Sequence, residues 1–410
     1  MIKNITLENF FSFGNRQTIE LNAGVNVLVG INGSGKSNFI RAIELLKEGA
    51  SENGFEEIFQ KKWSGFSGVK NLGKDVKEDI HLWFGLSTSV LKKSGNHNTP
   101  FNYPSDIIDY NIDIYPSGKT SYVLREILID KHDSYVEKDY PYLQSTSNDS
   151  YAQIFYKNND GNIEEQEYSK KSIKNTNLFI SQISDPERFK VLSLIQKAIK
   201  SISLYSNFDT TFNSPIRNLN SYQSETKLRS DGSNLVSLLQ KIKNNHTLEF
   251  EKIEEAFAQI NPHFKSIDFD YLGSKFQLVI REKNLSKTIT AEHISDGTLR
   301  FLLLLSILYN PERGNLVCLD EPETGLHPDM IRTIAKAIKY AANQGTQVIL
   351  ATHSPLLLNH FEIDDVLIFE KNEHNETVVS TKEEDDFEDW NDSYSTGKLW
   401  IDGKLGGVRW

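Results

Sequence analysis

Val25-Asn26-Val27-Leu28-Val29-Gly30-Ile31-Asn32-Gly33-Ser34-Gly35-Lys36-Ser37 decides how this chain folds. The apolar run Val25 to Val29 reads as a strand, Gly30 to Ser37 fits the pattern G-x-x-x-x-G-K-[ST], and a helical pattern runs from Asn38 to Lys47. Strand, glycine-rich turn and helix in that order are the context the pattern requires. Glycines let the backbone curl until successive N–H groups face phosphate oxygens, and the helix N-terminus adds the positive end of its dipole. In such a loop Lys36 sets an ammonium on the β- and γ-phosphates, and Ser37 offers its hydroxyl to Mg²⁺.

Three further segments converge on the same chemistry. Leu316-Val317-Cys318-Leu319 is an apolar strand that ends in Asp320-Glu321, which delivers two carboxylates to the edge of a sheet where open α/β folds bind ligands. Asp320 is placed to hold Mg²⁺ through water, and Glu321 to polarise an attacking water as general base. Cys318, inside that run, reads as packing rather than as a reactive thiol. Ala351-Thr352-His353-Ser354 ends the next strand in the same way, so His353 can reach a terminal phosphate or the water. Ser295-Asp296-Gly297-Thr298 opens an apolar helix from Leu299 to Leu308. The N–H groups of Gly297 and Thr298, with the Ser295 hydroxyl, make a second anion site, and Ser295 or Asp296 also serves as its N-cap.

The composition limits the alternatives. A chain of 410 residues has room for one large domain or two ordinary ones, and its hydrophobic content of 38% leaves sizeable polar surface segments. One cysteine excludes a disulfide framework and a multi-cysteine zinc site, as in a reducing cytosol. No apolar stretch approaches the roughly 20 residues that span a bilayer, and Met1 to Thr6 begins a strand pattern with no signal-peptide core. A soluble, cytoplasmic protein without membrane partners is expected. The net charge of −11 does not advertise a general grip on nucleic acid.

Along the chain, residues 1–60 read as an N-terminal lobe, in which Leu7 to Phe13 and Gln17 to Leu21 alternate as half-buried strands. Phe11 and Phe13 read as core, with contact to a base as the alternative. Residues 61–180 form a polar, β-rich inserted region, with strand-like runs at Ile80 to Phe84 and Ile112 to Tyr115 and polar loops or hairpins at 131–149 and 156–174. Residues 181–290 read as a helical lobe, with helical periodicity at 185–201 and 232–260, the latter capped by Ser233 or Asn234, and strands at 267–271 and 275–281. Residues 291–375 alternate helix and strand, which argues for a parallel sheet covered by helices. Residues 376–410 hold the acidic run Glu383 to Asp389, read as a solvated loop, and Trp390, Trp400 and Trp410, which suggest a packed C-terminus. No sustained heptad repeat encodes a long coiled coil.

These elements in this order resemble an ABC-type ATPase domain of the recombination and SMC-like branch. Gly30 to Ser37 resembles its Walker A motif, Ser295 to Thr298 a variant of its LSGGQ signature, and Leu316 to Glu321 its Walker B motif. Glu323 to Pro328 resembles the D-loop region, and His353 the switch histidine. The chain also looks like the stand-alone predicted ATPases of bacterial phage-defence operons (Septu-like, PARIS-like, retron-associated), to which 231–235 and the ending 397–407 are similar as well. The resemblance implies an α/β P-loop NTPase fold, an ABC-type head with a mixed sheet flanked by helices, here with a polar insertion and a helical subdomain. It implies ATP and Mg²⁺ as cofactors, Glu321 and His353 as catalytic residues, and a nucleotide held by Asn32 to Ser37 in one subunit and Ser295, Asp296 and Gly297 of another. By the same resemblance Ser37, Asp320 and a Q-loop glutamine, taken as Gln182 rather than Gln60, ligate the metal. Asp296, where the family has glycine, implies slow hydrolysis.

A homodimer or higher homo-oligomer closed by ATP, acting on a nuclease or toxin effector encoded by a neighbouring gene, is the first expectation. An SMC-like repair ATPase that binds DNA when ATP is bound is the second. A nuclease like the OLD family is disfavoured, because the roughly 57 residues after His353 are too few for its nuclease domain.

Overall fold

The computed structural model describes residues 1–75, 77–89, 106–117, 121–130, 140–145, 151–158, 162–169, 171–387 and 395–406. At its centre the strands Ser203–Tyr205, Leu316–Asp320, Gln347–Ala351, Val25–Gly30 and Val366–Lys371 run parallel, side by side in that order. Thr377–Ser380 closes the edge in the antiparallel sense. The inner strands are buried along nearly their whole length, as a sheet covered on both faces requires. Asp320 pairs with Ala351, and Ala351 with Leu28, so the segments that follow these three strands emerge at one edge.

Alternation sorts the central side chains onto two cores. Leu28, Leu316, Cys318, Ile349, Ala351 and Phe369 face the helix Lys36–Gly49, whose Phe39, Ala42, Ile43 and Leu46 are buried. Val25, Val27, Val29, Val317, Leu319, Val348 and Leu350 face the opposite way, toward the helical lobe. There the helix Asp296–Leu308 is apolar all round and buried from Phe301 to Leu308, as a helix at the middle of a core must be. Burial of Cys318 pushes its thiol well up, consistent with a packing role.

Among the described residues, a second sheet of eight strands covers the other side of the helix Lys36–Gly49. It joins the N-terminal strands Ile2–Glu8 and Gln17–Glu20 to Ile80–Ser87 and then to strands between residues 107 and 169. The polar stretch therefore extends the N-terminal sheet edge-on. Its inward residues Ile108, Tyr110, Ile112, Ile114, Leu124 and Leu128 supply the core that its overall composition conceals. A smaller sheet of Phe264–Leu272, Lys275–Glu282, Asn220–Ser221 and Ile289–Thr290 flanks the helical lobe.

Three local expectations are corrected. The strand expected at 7–13 ends at Glu8. Asn9 and Phe11 take positive φ of 53° and 47°, and Phe10 and Phe13 exchange backbone hydrogen bonds across a tight turn. The helix expected over 232–260 is two, Leu235–Asn245 and Thr247–Ile260, broken at His246. Asn234 does stand at the first helix's N-cap, but its side chain accepts from Arg229 N and donates to Lys227 O, bracing the preceding loop instead. Of the tryptophans, Trp400 is buried on a C-terminal helix, Thr396–Ile401, that packs on Pro355–Leu358, whereas Trp390 and Trp410 lie outside the described residues. The acidic residues Glu383, Asp385 and Asp386 are exposed.

Candidate functional site

The loop between Gly30 and Lys36 is held from behind. Thr377 Oγ1 lies 2.7 Å from both Ser12 Oγ and the Ser34 carbonyl oxygen, and Asn38 Nδ2 donates to Ser12 Oγ at 2.8 Å. Gly35 sits against this brace with φ +116°, and a Cβ there would fall 2.2 Å from Thr377 Oγ1. Gly33, at φ +80°, has open space around it. The helix that follows has no side-chain cap and no acidic residue in its first turn, which leaves its first N–H groups available to an anion. Ser12 and Thr377 carry no sequence signal, being 365 residues apart.

Lys36 is nearly buried and donates to the carbonyls of Gly30 at 2.7 Å and Ile31 at 3.1 Å. Burial holds its ammonium down to about 8, against the pull of Asp320 and Glu321. Burial and the neighbouring Glu321 raise the Asp320 carboxyl, with Lys36 opposing. Glu321 follows in a left-handed conformation, φ 49°, fixed by its N–H donating to Ala351 O at 2.9 Å. That turn brings Glu321 Oε1 to 3.6 Å from His353 Nε2. Burial and Lys36 lower the His353 imidazole below its ordinary value, so it stands neutral near pH 7.

The sequence marked Glu323 only as the start of a D-loop-like segment, yet its side chain orders this edge. Its Oε1 accepts from Thr352 Oγ1 at 2.6 Å, His353 N at 3.1 Å and Ser354 N at 3.2 Å. The segment after Asp320 and the segment bearing His353 are thereby tied into one unit.

The residues fit a Mg²⁺-nucleotide. Ser34 Oγ is buried with no hydrogen-bond partner, the Lys36 ammonium donates to carbonyls of its own loop, and Ser37 is exposed at the start of the helix. Among the described residues no group of three or more metal-ligating side chains forms a cage of its own. Mg²⁺ needs none, since one carboxylate, a hydroxyl, water and phosphate oxygens satisfy it.

At the second anion site Ser295 Oγ accepts from Thr298 N at 3.2 Å, so the expected N-cap is present. Asp296 bonds the Arg217 guanidinium, which is buried and also donates to the carbonyls of Thr210, Ala291 and Ile294. Gly297 lies against the segment after Asp320 and Glu321, where a Cβ would fall 2.8 Å from Gly325 O. Arg300 donates to Thr324 O. Among the described residues no hydrogen bond or ion pair joins 295–298 to the loop 30–37.

Gln182 is corrected as a metal ligand. Its amide accepts from Lys174 N at 2.8 Å and donates to Lys174 O, Asn177 O and Leu178 O. This turn packs where a Cβ on Gly49 would meet Leu178, at the far end of the helix Lys36–Gly49. Fourteen residues at 1.5 Å each put that end roughly 20 Å from Ser37. Phe13 is fully buried and reads as core, while Phe11 is half-buried under the Arg41 guanidinium, 4.9 Å from its ring centroid.

The family model described as "AAA domain, putative AbiEii toxin, Type IV TA system" matches residues 25–359. The crystal structure of an SMC head bound to the C-winged helix domain of ScpA is similar in fold, with a TM-score of 0.55 over 93% of this chain and 98% of that one at 16% identity. A probable ATP-dependent transporter, ycf16 of Guillardia theta, is 34% identical over 105 residues, 25% of this chain and 40% of the relative. The Old nuclease of Escherichia phage P2 is 24% identical over 184 residues, 42% of this chain and 29% of the nuclease. The chain thus spans less than half the length of these curated relatives. The fold is that of an SMC-head-like P-loop ATPase, as the sequence implied, and no helix among the described residues is long and apolar enough to cross a membrane.

Proposed function

The chain belongs to this AAA-domain family, and from that premise we propose that it binds and hydrolyses ATP between two copies of itself, in the cytoplasm. One observation carries the reading. The capped N-terminus at Ser295 is locked to its own 323–327 segment through Gly297 and Arg300, yet among the described residues it makes no hydrogen bond or ion pair with its own phosphate loop. A second anion site built rigidly beside the carboxylate edge, but away from the first, suits the phosphates held by another subunit.

In this reading Asn32 to Ser37 cradle the phosphates, with Lys36 turning from its loop carbonyls to the β- and γ-oxygens. Ser37 and Asp320 hold Mg²⁺, which neutralises phosphate charge when bound. Glu321 takes the proton of the attacking water, and His353, 3.6 Å away and neutral, orients that water or the terminal phosphate. Ser295, Asp296 and Gly297 complete the site from the partner. The salt link of Asp296 to Arg217 keeps part of its charge off the incoming phosphate, compatible with slow turnover.

The family description, with its putative AbiEii toxin of a type IV TA system, is consistent with a place in anti-phage defence, where the proposed role is control of a separately encoded effector. Subunit mixing tests the shared site. Lys36→Ala and Ser295→Arg should each be inactive alone and regain ATPase activity when combined, because the mixed dimer holds one whole site. Absence of rescue would place both anion sites in one chain. For the effector, the protein should co-purify with the neighbouring gene product and leave duplex DNA unbound at physiological salt.

A further inference from the structure

A groove of about 670 Å³ opens between the helix Pro328–Asn343 and the short helix Pro355–Leu358 with its following turn. Arg332 and Lys336, one turn apart and exposed, line one wall, and half-buried His360 lines the other. Ile331 lies at its floor, and Leu356 stands 51% exposed at its rim. Among the described residues neither Arg332 nor Lys336 has a carboxylate within ion-pair distance. The Asp329 carboxylate at the groove mouth is instead 3.3 Å from His327, and nearby Lys339 is 3.9 Å from Glu362. Burial and the three cations hold the His360 imidazole below its ordinary value. In a chain of net charge −11 this is a local positive groove with an apolar rim.

Its walls are continuous with the nucleotide site. One helix starts directly after residues 323–327, the other directly after His353 and Ser354, and Glu323 ties those two starts together. Among the described residues no Phe, Tyr or Trp lines the groove, so they offer no surface for stacking bases, and the acidic chain around it repels a long polyanion. A compact ligand with negative charge and one apolar side chain matches both of its features.

We propose that this groove docks a short acidic segment of a partner protein, anchored by an apolar side chain on Leu356, and that its grip follows the nucleotide state. Only the nucleotide dependence rests on the function proposed above. A displayed random dodecamer library selected on the wild-type protein supplies the probe, and the strongest peptide is labelled for fluorescence anisotropy. Selected peptides should carry Asp and Glu around a Leu or aromatic residue. The double variant Arg332→Glu/Lys336→Glu should bind at least about tenfold more weakly with ATPase activity unchanged. A selection without acidic consensus, equal affinity in the double variant, or displacement of the peptide by a mixed-sequence oligonucleotide would each overturn the proposal. Peptide affinity in Glu321→Gln should differ with and without ATP. Equal affinity alongside ATP-driven dimerisation would remove the coupling, and unchanged peptide binding without dimerisation would remove the subunit sandwich and keep the groove.

Discussion

Lys36 and Glu323 show what single side chains do at this site. Lys36 gives up hydration for two loop carbonyls, and with its ammonium held to about 8 the free protein loses that charge as pH rises past this value. Phosphates favour the charged form, so binding above pH 8 requires uptake of a proton. Affinity for an ATP analogue should then fall by up to about tenfold per pH unit above 8, and a flat profile to pH 9.5 would refute this. The same lowered value makes the empty protein gain stability as pH rises from about 8 toward the lysine's unfolded value of 10.5. Lys36→Ala should abolish nucleotide binding by calorimetry. Glu323→Ala leaves the Thr352 hydroxyl and the N–H groups of His353 and Ser354 without their acceptor. It should cost about 2–3 kcal/mol in urea unfolding and lower kcat more than it raises KM, because His353 loses its position.

The helix Asp296–Leu308 and the segment 323–327 are joined, since Gly297 packs against Gly325 and Arg300 spans to Thr324. Gly297→Ala drives a Cβ into a backbone carbonyl, so it should separate the two and abolish ATP-dependent association while leaving ATP bound to each monomer. On the β-rich side, the buried Glu126 accepts from Tyr110 Oη and from the backbone of Phe179 and Ile180, joining the eight-stranded sheet to the turn at 178–182. Burial raises its carboxyl to about 7 despite those donors. The folded protein therefore binds more protons than the unfolded chain between about 4.5 and 7, and stability falls as pH rises through that window. Glu126→Gln should flatten that slope in thermal melts. These elements differ in how legible they were. The loop 30–37, the strand into Asp320-Glu321, the Ser295 cap and His353 are local patterns, and a single sequence displays them. Ser12, Thr377, Arg217 and the acceptor role of Glu323 act through contacts between distant segments, which periodicity does not report. Gln182 was misplaced because apolar neighbours mark a buried turn equally well at either end of a helix.

The described residues form two cores on either side of one central, mostly parallel sheet, and the loop 30–37, Asp320-Glu321 and His353 all lie at one edge of it. The fold class was readable because strand and helix alternate after residue 291. The extent of the N-terminal sheet was not, because its strands between residues 107 and 169 carry polar outer faces and pair edge to edge. One chain supplies both a phosphate loop and a separate capped helix end, and in the proposed function two chains share each nucleotide. Glu321→Gln, which removes the proposed base and keeps the cradle, tests this by light scattering during size exclusion, with and without ATP and Mg²⁺. A shared site gives a monomer without ATP and a stable species of two chains and two nucleotides with it. ATP bound stoichiometrically to a chain that stays monomeric at all concentrations would contradict it.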